Sequence, residues 1–171
     1  MSARAPILPA MLLALLALHD SMPAAHASTP LDWFVGDWRV AVRGADAAAG
    51  DLDRSFDWAV RPALDGAWLA GSVLVDGSVW THEFQGVDPA TGMLVRSVMS
   101  ADGSLVRFES AGWDGDLLVW EGTLHAADGI THLREEIRRL GDDAAEARFL
   151  RREPGSGAAW SLMQTEQLRR R

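Results

Sequence analysis

The sequence predicts an all-β fold, a single antiparallel up-and-down barrel of about ten strands. Three observations predict it. Short runs rich in β-branched and aromatic residues follow one another from residue 36 to the end of the chain. The dipeptide Asp-Gly recurs between them, at 65–66, 76–77, 102–103, 114–115 and 128–129. Asp-Gly suits a two-residue hairpin turn, because both turn positions need positive φ. Finally, no segment other than "THLREEIRRLG" offers an amphipathic helix to cover the apolar face of such a sheet. A sheet with one uncovered apolar face must wrap on itself, which also removes its exposed edges.

The chain opens on a leader. Arg4 gives a positive start, Ile7 to Leu18 is an apolar run, and Ala25-His26-Ala27 is an A-x-A cleavage signal. This is a secretory signal peptide, too short for a membrane span of about 20 residues. An uncleaved anchor is the rival reading. The leader predicts cleavage after Ala27, a periplasmic or secreted destination, no stable membrane insertion afterwards, and one mature domain over residues 28–171. The chain has no cysteine, so an exported domain of this size has to be held by packing alone. Its net charge of −8 repels phosphate backbones and sets nucleic acid aside as a partner. Eight tryptophans stand against no tyrosine. Trp carries a large apolar area with a single donor, and so favours cores and cavities.

The strands are expected at 36–43, 52–61, 67–75, 79–87, 93–100, 105–112, 117–125, 131–140, 146–153 and 160–169. The hairpins predict who faces whom. A turn at Asp65-Gly66 sets Val60 opposite Gly71, Trp58 opposite Val73 and Phe56 opposite Val75. A turn at Asp76-Gly77 sets Val73 opposite Trp80, Gly71 opposite His82 and Leu69 opposite Phe84. A turn at Asp102-Gly103 sets Met99 against Val106 and Ser97 against Phe108, with Arg96 and Glu109 paired on the reverse face. A two-residue turn at Asp114-Gly115 would bring Glu109 and Glu121 onto the apolar face. A three-residue loop with a bulge instead restores Ser110 opposite Trp120. A turn at Asp128-Gly129 pairs Leu124 with Leu133 and Trp120 with Ile137. Residues 131–140 also have helical spacing at Leu133, Ile137 and Leu140, between a Thr131 cap and Gly141. Their pairing with 117–125 favours a strand.

The first strand opens on Gly36-Asp37-Trp38, a G-x-W preceded by the apolar "LDWFV". This resembles the calycin superfamily, the lipocalins, fatty-acid-binding proteins and their relatives. The resemblance implies that Trp38 closes one end of the barrel beneath an arginine from near the end of the chain, for which Arg169 is the candidate. The stretches "LDWFVGDW", "ALDGAWLAG", "EFQGVDPATG", "SAGWDGDLLVWEG" and the Trp-bearing last strand are similar to a bacterial calycin-like family of unknown function. That family implies a fold and no catalytic residues. More distantly, the chain resembles nitrobindin-like barrels, which hold haem through a histidine on a late strand. The last strand here, "AWSLMQTEQLRR", has no histidine, so no cofactor is expected.

On these registers one face of the sheet collects Trp58, Trp80, His82, Phe84, Met99, Phe108 and Trp120. They are the candidate ligand contacts: an aromatic lining with one polar group, His82, to orient a small hydrophobic or aromatic molecule. A core histidine bonded to the backbone is the plainer reading of His82. His125 and His132 fall opposite each other, about 4.5–5.5 Å apart at Cβ, a spacing that could share a metal. No third ligand stands nearby, and a solvated hairpin face is the simpler account, so no metal is expected. Glu135 is the one carboxylate expected on the inward face. An isomerase or hydrolase using His82 or Glu135 is therefore the alternative to a binding protein, and a barrel filled by its own side chains is the third. The sequence carries no nucleophile elbow, zinc-binding helix, phosphate loop or dinucleotide fingerprint.

Overall fold

A computed structural model describes residues 29–45, 54–155 and 157–171. The expected leader and its cleavage point lie outside them. The fold is the expected all-β barrel: ten antiparallel strands close into a ring, with one short strand besides. The strands are β1 (Gly36–Gly44), β2 (Arg54–Ala63), β3 (Trp68–Val75), β4 (Ser78–Val87), β5 (Leu94–Ser100), β6 (Leu105–Ser110), β7 (Trp113–Asp114), β8 (Leu117–Ala126), β9 (Gly129–Arg139), β10 (Ala144–Arg152) and β11 (Ser161–Arg170). Except between β6 and β7, each pairs with its neighbour in the chain. β6 reaches past the two-residue β7 to β8, and β11 returns to β1, so the ring has no free edge. Residues 131–139 are strand, within β9, and not helix.

One end of the barrel is stoppered by the residues just ahead of β1. Asp32–Phe34 form a 3-10 turn that tucks Leu31 and Phe34 into the core. Trp38 is fully buried beneath it and donates its indole N–H to the Phe34 carbonyl at 2.7 Å. Trp33 lies over Trp38 at 4.8 Å between ring centroids, and Trp113 lies against Phe34 at 5.8 Å. Trp113 also donates to the Pro30 carbonyl at 2.7 Å. The arginine over Trp38 is Arg170, 4.2 Å from the ring, and not Arg169. Register decides this: Arg170 is paired with Trp38 across β1 and β11, whereas Arg169 is opposite Arg39 and exposed.

The register of the first hairpin is as expected, with Trp58 opposite Val73 and Val60 opposite Gly71. The next two differ by one residue. The Asp76-Gly77 turn is present, both residues having positive φ, and Leu74 pairs with Val79. Beyond it β4 bulges at Trp80, so Val73 meets Thr81, Ser72 meets His82 and Gly71 meets Glu83. Side chains alternate with a period of two, so one extra residue reverses every later side chain on the strand. Between β5 and β6 the turn is a three-residue loop, Ala101 to Gly103. Ser100 accepts from Gly103 and donates to Ser104, and Gly103 takes a φ of 85°. Arg96 then meets Phe108 and Val98 meets Val106, while Met99 pairs with Leu105 on the outer face.

The remaining hairpins keep their faces. β6 and β8 pair Phe108 with Gly122 and Glu109 with Glu121, the register that leads to Ser110 opposite Trp120. The three-residue loop and bulge expected at 114–116 are not there: the turn is the two-residue Gly115-Asp116, and the extra residue falls at the break between β6 and β7, Ala111-Gly112. β8 and β9 turn at Ala127-Asp128, so Leu118 meets Ile137, Trp120 meets Glu135 and Gly122 meets Leu133. This differs from the expected pairing by two residues, a full side-chain period, so Trp120, Leu133 and Ile137 remain inward.

Candidate functional site

The bulge at Trp80 and the three-residue loop after Ser100 together change what the barrel contains. They turn Thr81, Glu83 and Gln85 of β4 and Arg96 and Val98 of β5 inward. They turn His82, Phe84 and Met99 outward. The inward placement expected for those three is corrected: Phe84 and Met99 are exposed, and His82 is exposed with its Nδ1 3.0 Å from the Ser72 hydroxyl.

The interior holds a cavity of about 480 Å³ above the tryptophan stopper. Trp58 and Phe108 stand at its inner end, and Arg54, Ser55, Val75 and Trp80 at the opposite rim. Its side wall is largely apolar, with Phe56, Val73, Val98, Val106, Leu133 and Phe149. Glu83, Arg96, Glu135 and Glu166 also line it, and all four are buried. Among the described residues that line it there is no histidine, methionine or cysteine.

These charged groups are held by specific contacts. Arg96 forms an ion pair with Glu135 across the barrel, from β5 to β9. Its guanidinium also lies over the rings of Phe108, at 4.6 Å, and Trp120, at 5.0 Å. Trp58 donates to Glu83 Oε1 at 2.7 Å, and Gln85 Nε2 donates to the same oxygen at 3.0 Å. Glu166 on β11 accepts from Gln164 Nε2 at 2.7 Å. Gln164 in turn accepts from Arg54 at 3.0 Å. Burial pushes the Glu83 carboxyl up, against the pull of Arg96 and the Trp58 hydrogen bond. Burial, reinforced by the charge of Glu135, pushes Glu166 up to about 8, so it carries a proton at neutral pH.

Of the candidate contacts, Trp58 and Phe108 line the cavity and Trp80 stands at its rim, almost half exposed at the bulge. Trp120 is fully buried behind Arg96 and does not reach the cavity wall. Glu135 faces inward as expected, tied to Arg96. His125 and His132 are not opposite each other: His125 pairs with Ile130 and His132 with Thr123, on the outer face.

Reasoning from sequence missed Glu83, Arg96 and Glu166 as interior groups. A signal for Glu83 was present in Gly71. Glycine inside a strand often marks a close approach. Here a Cβ on Gly71 would lie 2.3 Å from Glu83 Oε1, so the glycine makes the room that the carboxylate occupies. Glu166 carries no comparable mark, since "MQTEQL" alternates like any half-exposed strand.

No protein-family model matches the chain, and no curated protein does. Among solved structures it is similar to Rv2717c from M. tuberculosis. The two share 15% identity over 88% of this chain and 98% of the other, with a TM-score of 0.53. At that identity the likeness is one of fold, and what it establishes is a closed antiparallel barrel.

Proposed function

We propose that this protein binds a small, largely apolar molecule inside its barrel, and that it does so after export. The cavity carries the reading. Roughly 300–1,000 Å³ is the usual size of a small-molecule pocket, and such pockets pair apolar walls with a few placed polar groups. The 480 Å³ space between Trp58, Phe108 and the Val75–Trp80 rim has that make-up. The same space favours this reading over a barrel filled with its own side chains. Export rests on the leader sequence, and the calycin-like reading on the placement of Trp38 beneath Arg170.

The acid–base alternative fares less well. His82 faces away from the cavity, and Glu135 is committed to Arg96. Among the described residues the lining offers carboxylates and no imidazole or thioether to an iron, which favours a ligand other than haem.

Uptake of N-phenyl-1-naphthylamine, a neutral apolar dye, tests the binding reading. Saturable uptake at one dye per chain is expected, with energy transfer from tryptophan. Val98→Phe, which projects into the cavity, should weaken it. Absence of saturable uptake would overturn the reading.

A further inference from the structure

We infer that the molecule this cavity takes is an organic cation, an ammonium group carried on an aromatic or aliphatic body. The inference rests on the binding reading above and deepens it.

The balance of buried charge is the first support. Glu83, Glu135 and Glu166 all line the cavity, and each is more than nine-tenths buried. The one buried guanidinium among them, Arg96, is occupied by Glu135 and by two ring faces. Arg54 stands exposed at the rim and is bonded to Gln164. A carboxyl withdrawn from water without a matching cation is costly to ionise, and Glu166 holds a proton at neutral pH for that reason, so a cation entering beside it would supply the missing counter-charge.

The second support is what the carboxylates leave open. Glu83 receives both of its hydrogen bonds on Oε1. Glu166 receives one on Oε1, and Glu135 meets Arg96 through Oε2. The other oxygen of each has no protein donor among the described residues. These oxygens, that of Glu166 once its proton has left, belong to a cavity lining that also includes Phe56, Trp58 and Trp80, rings that attract a cation as well. An anion would find in Arg96 one unpaired donor, Nε, on a guanidinium whose charge Glu135 already matches.

Proton balance follows from the surroundings of Glu166. The charged groups facing it are Glu135 on β9, Arg96 on β5 and Arg54 on β2. Glu83 on β4 lines the same cavity. The adjacent strands β1 and β10 present Val42 and Ala147 at its level. Glu166 is protonated at neutral pH in the empty barrel, with its carboxyl at about 8. An entering ammonium favours the carboxylate, so the Glu166 proton leaves to water as the cation takes its place. Affinity for a cation therefore rises with pH toward 8 and levels off above it.

Calorimetric titration of the full chain with three matched probes tests this. The probes are trimethyl-2-(1-naphthyl)ethylammonium, whose charge does not titrate, 2-(1-naphthyl)ethanol and 1-naphthaleneacetate. At about pH 8.5 the ammonium should bind at least roughly tenfold more tightly than the alcohol, as expected of a buried charge-assisted contact. Its affinity should fall on going to about pH 6.5, with proton release seen by comparing two buffers of different ionisation enthalpy. Glu166→Gln, which mimics the protonated carboxyl, should remove most of the pH dependence and keep alcohol binding. Glu83→Gln should lower ammonium affinity in the same way. If the alcohol or the acetate binds best, or if ammonium affinity does not change with pH, the cation inference is overturned and the binding reading stands. If neither the three probes nor the neutral dye binds, the binding reading itself has failed.

Discussion

Trp58 and Glu83 meet inside the barrel although β3 lies between their strands: the indole N–H donates to Oε1 at 2.7 Å. Gly71 of β3 makes this possible. Paired with Val60 on one side and Glu83 on the other, it leaves the carboxylate space to lie back across the strand. Trp58→Phe keeps the apolar area and removes the donor, so it should cost about 1–3 kcal/mol by urea denaturation. Gly71→Ala should disturb the same contact by displacing Glu83. The double variant should then cost less than the sum of the two, because both remove one interaction. Strict additivity would show that the contact contributes nothing.

Glu166 should make stability depend on pH. Its folded value of about 8 lies above the ordinary 4.5, so the folded state binds the proton more tightly than the unfolded chain. The resulting stabilisation is complete below about pH 4.5 and is lost as pH rises through about 8. The full change is on the order of 5 kcal/mol. Glu83, also raised by burial, acts in the same direction. Glu166→Gln should flatten much of this slope and be more stable than the parent at pH 8. Denaturation midpoints between about pH 5 and 8.5 measure it, and a parent protein whose stability rises over that range would contradict the placement of Glu166.

Arg96 and Glu135 should be far less tolerant of single changes than of a joint one. Glu135→Leu leaves a buried guanidinium without its counter-charge and should cost about 3–5 kcal/mol. Arg96→Met with Glu135→Leu removes both charges and should recover most of that loss. Equal destabilisation in the single and double variants would mean that packing and not pairing sets the cost.

At the closed end, Arg170 and Arg169 should behave as opposites. Arg170 stacks on Trp38 and donates to the carbonyls of Trp33, Val35 and Asp142. Arg170→Ala should cost about 2–3 kcal/mol, combining the cation–π contact with lost hydrogen bonds to a charged donor. Arg169 is exposed, and Arg169→Ala should change stability by less than about 0.5 kcal/mol. Thermal melting of the two variants side by side decides between them, and the reverse order would restore Arg169 to the stopper.

The barrel was legible because its signals are local. Asp76-Gly77 sits at a hairpin turn as the dipeptide implies, and the alternation across Trp58, Val60 and Val73 needed no correction. The site was only half legible. Trp58, Phe108 and Glu135 face inward as read, but His82, Phe84 and Met99 do not. Trp80, His82 and Phe84 alternate along one strand and looked like a core face, and an ideal two-residue hairpin would have made them one. A single unpaired Trp80 and one extra loop residue at Ala101 outweighed that pattern.

The sequence by itself determined the strand order and roughly where the chain turns, since both depend on residues within a hairpin's reach; the lengths of the turns after Ser100 and Ala126, and the arginine over Trp38, came from the tertiary structure. Which side of β4 and β5 faces inward was decided only by the closed ring. There Trp58, Gly71 and Glu135, distant in the chain, supply the hydrogen bond, the space and the counter-charge that let Glu83 and Arg96 be buried. Side-chain alternation has a period of two and no memory of which side is which. One bulge reverses it at small local cost, and the choice then falls to contacts that exist only after the barrel has closed.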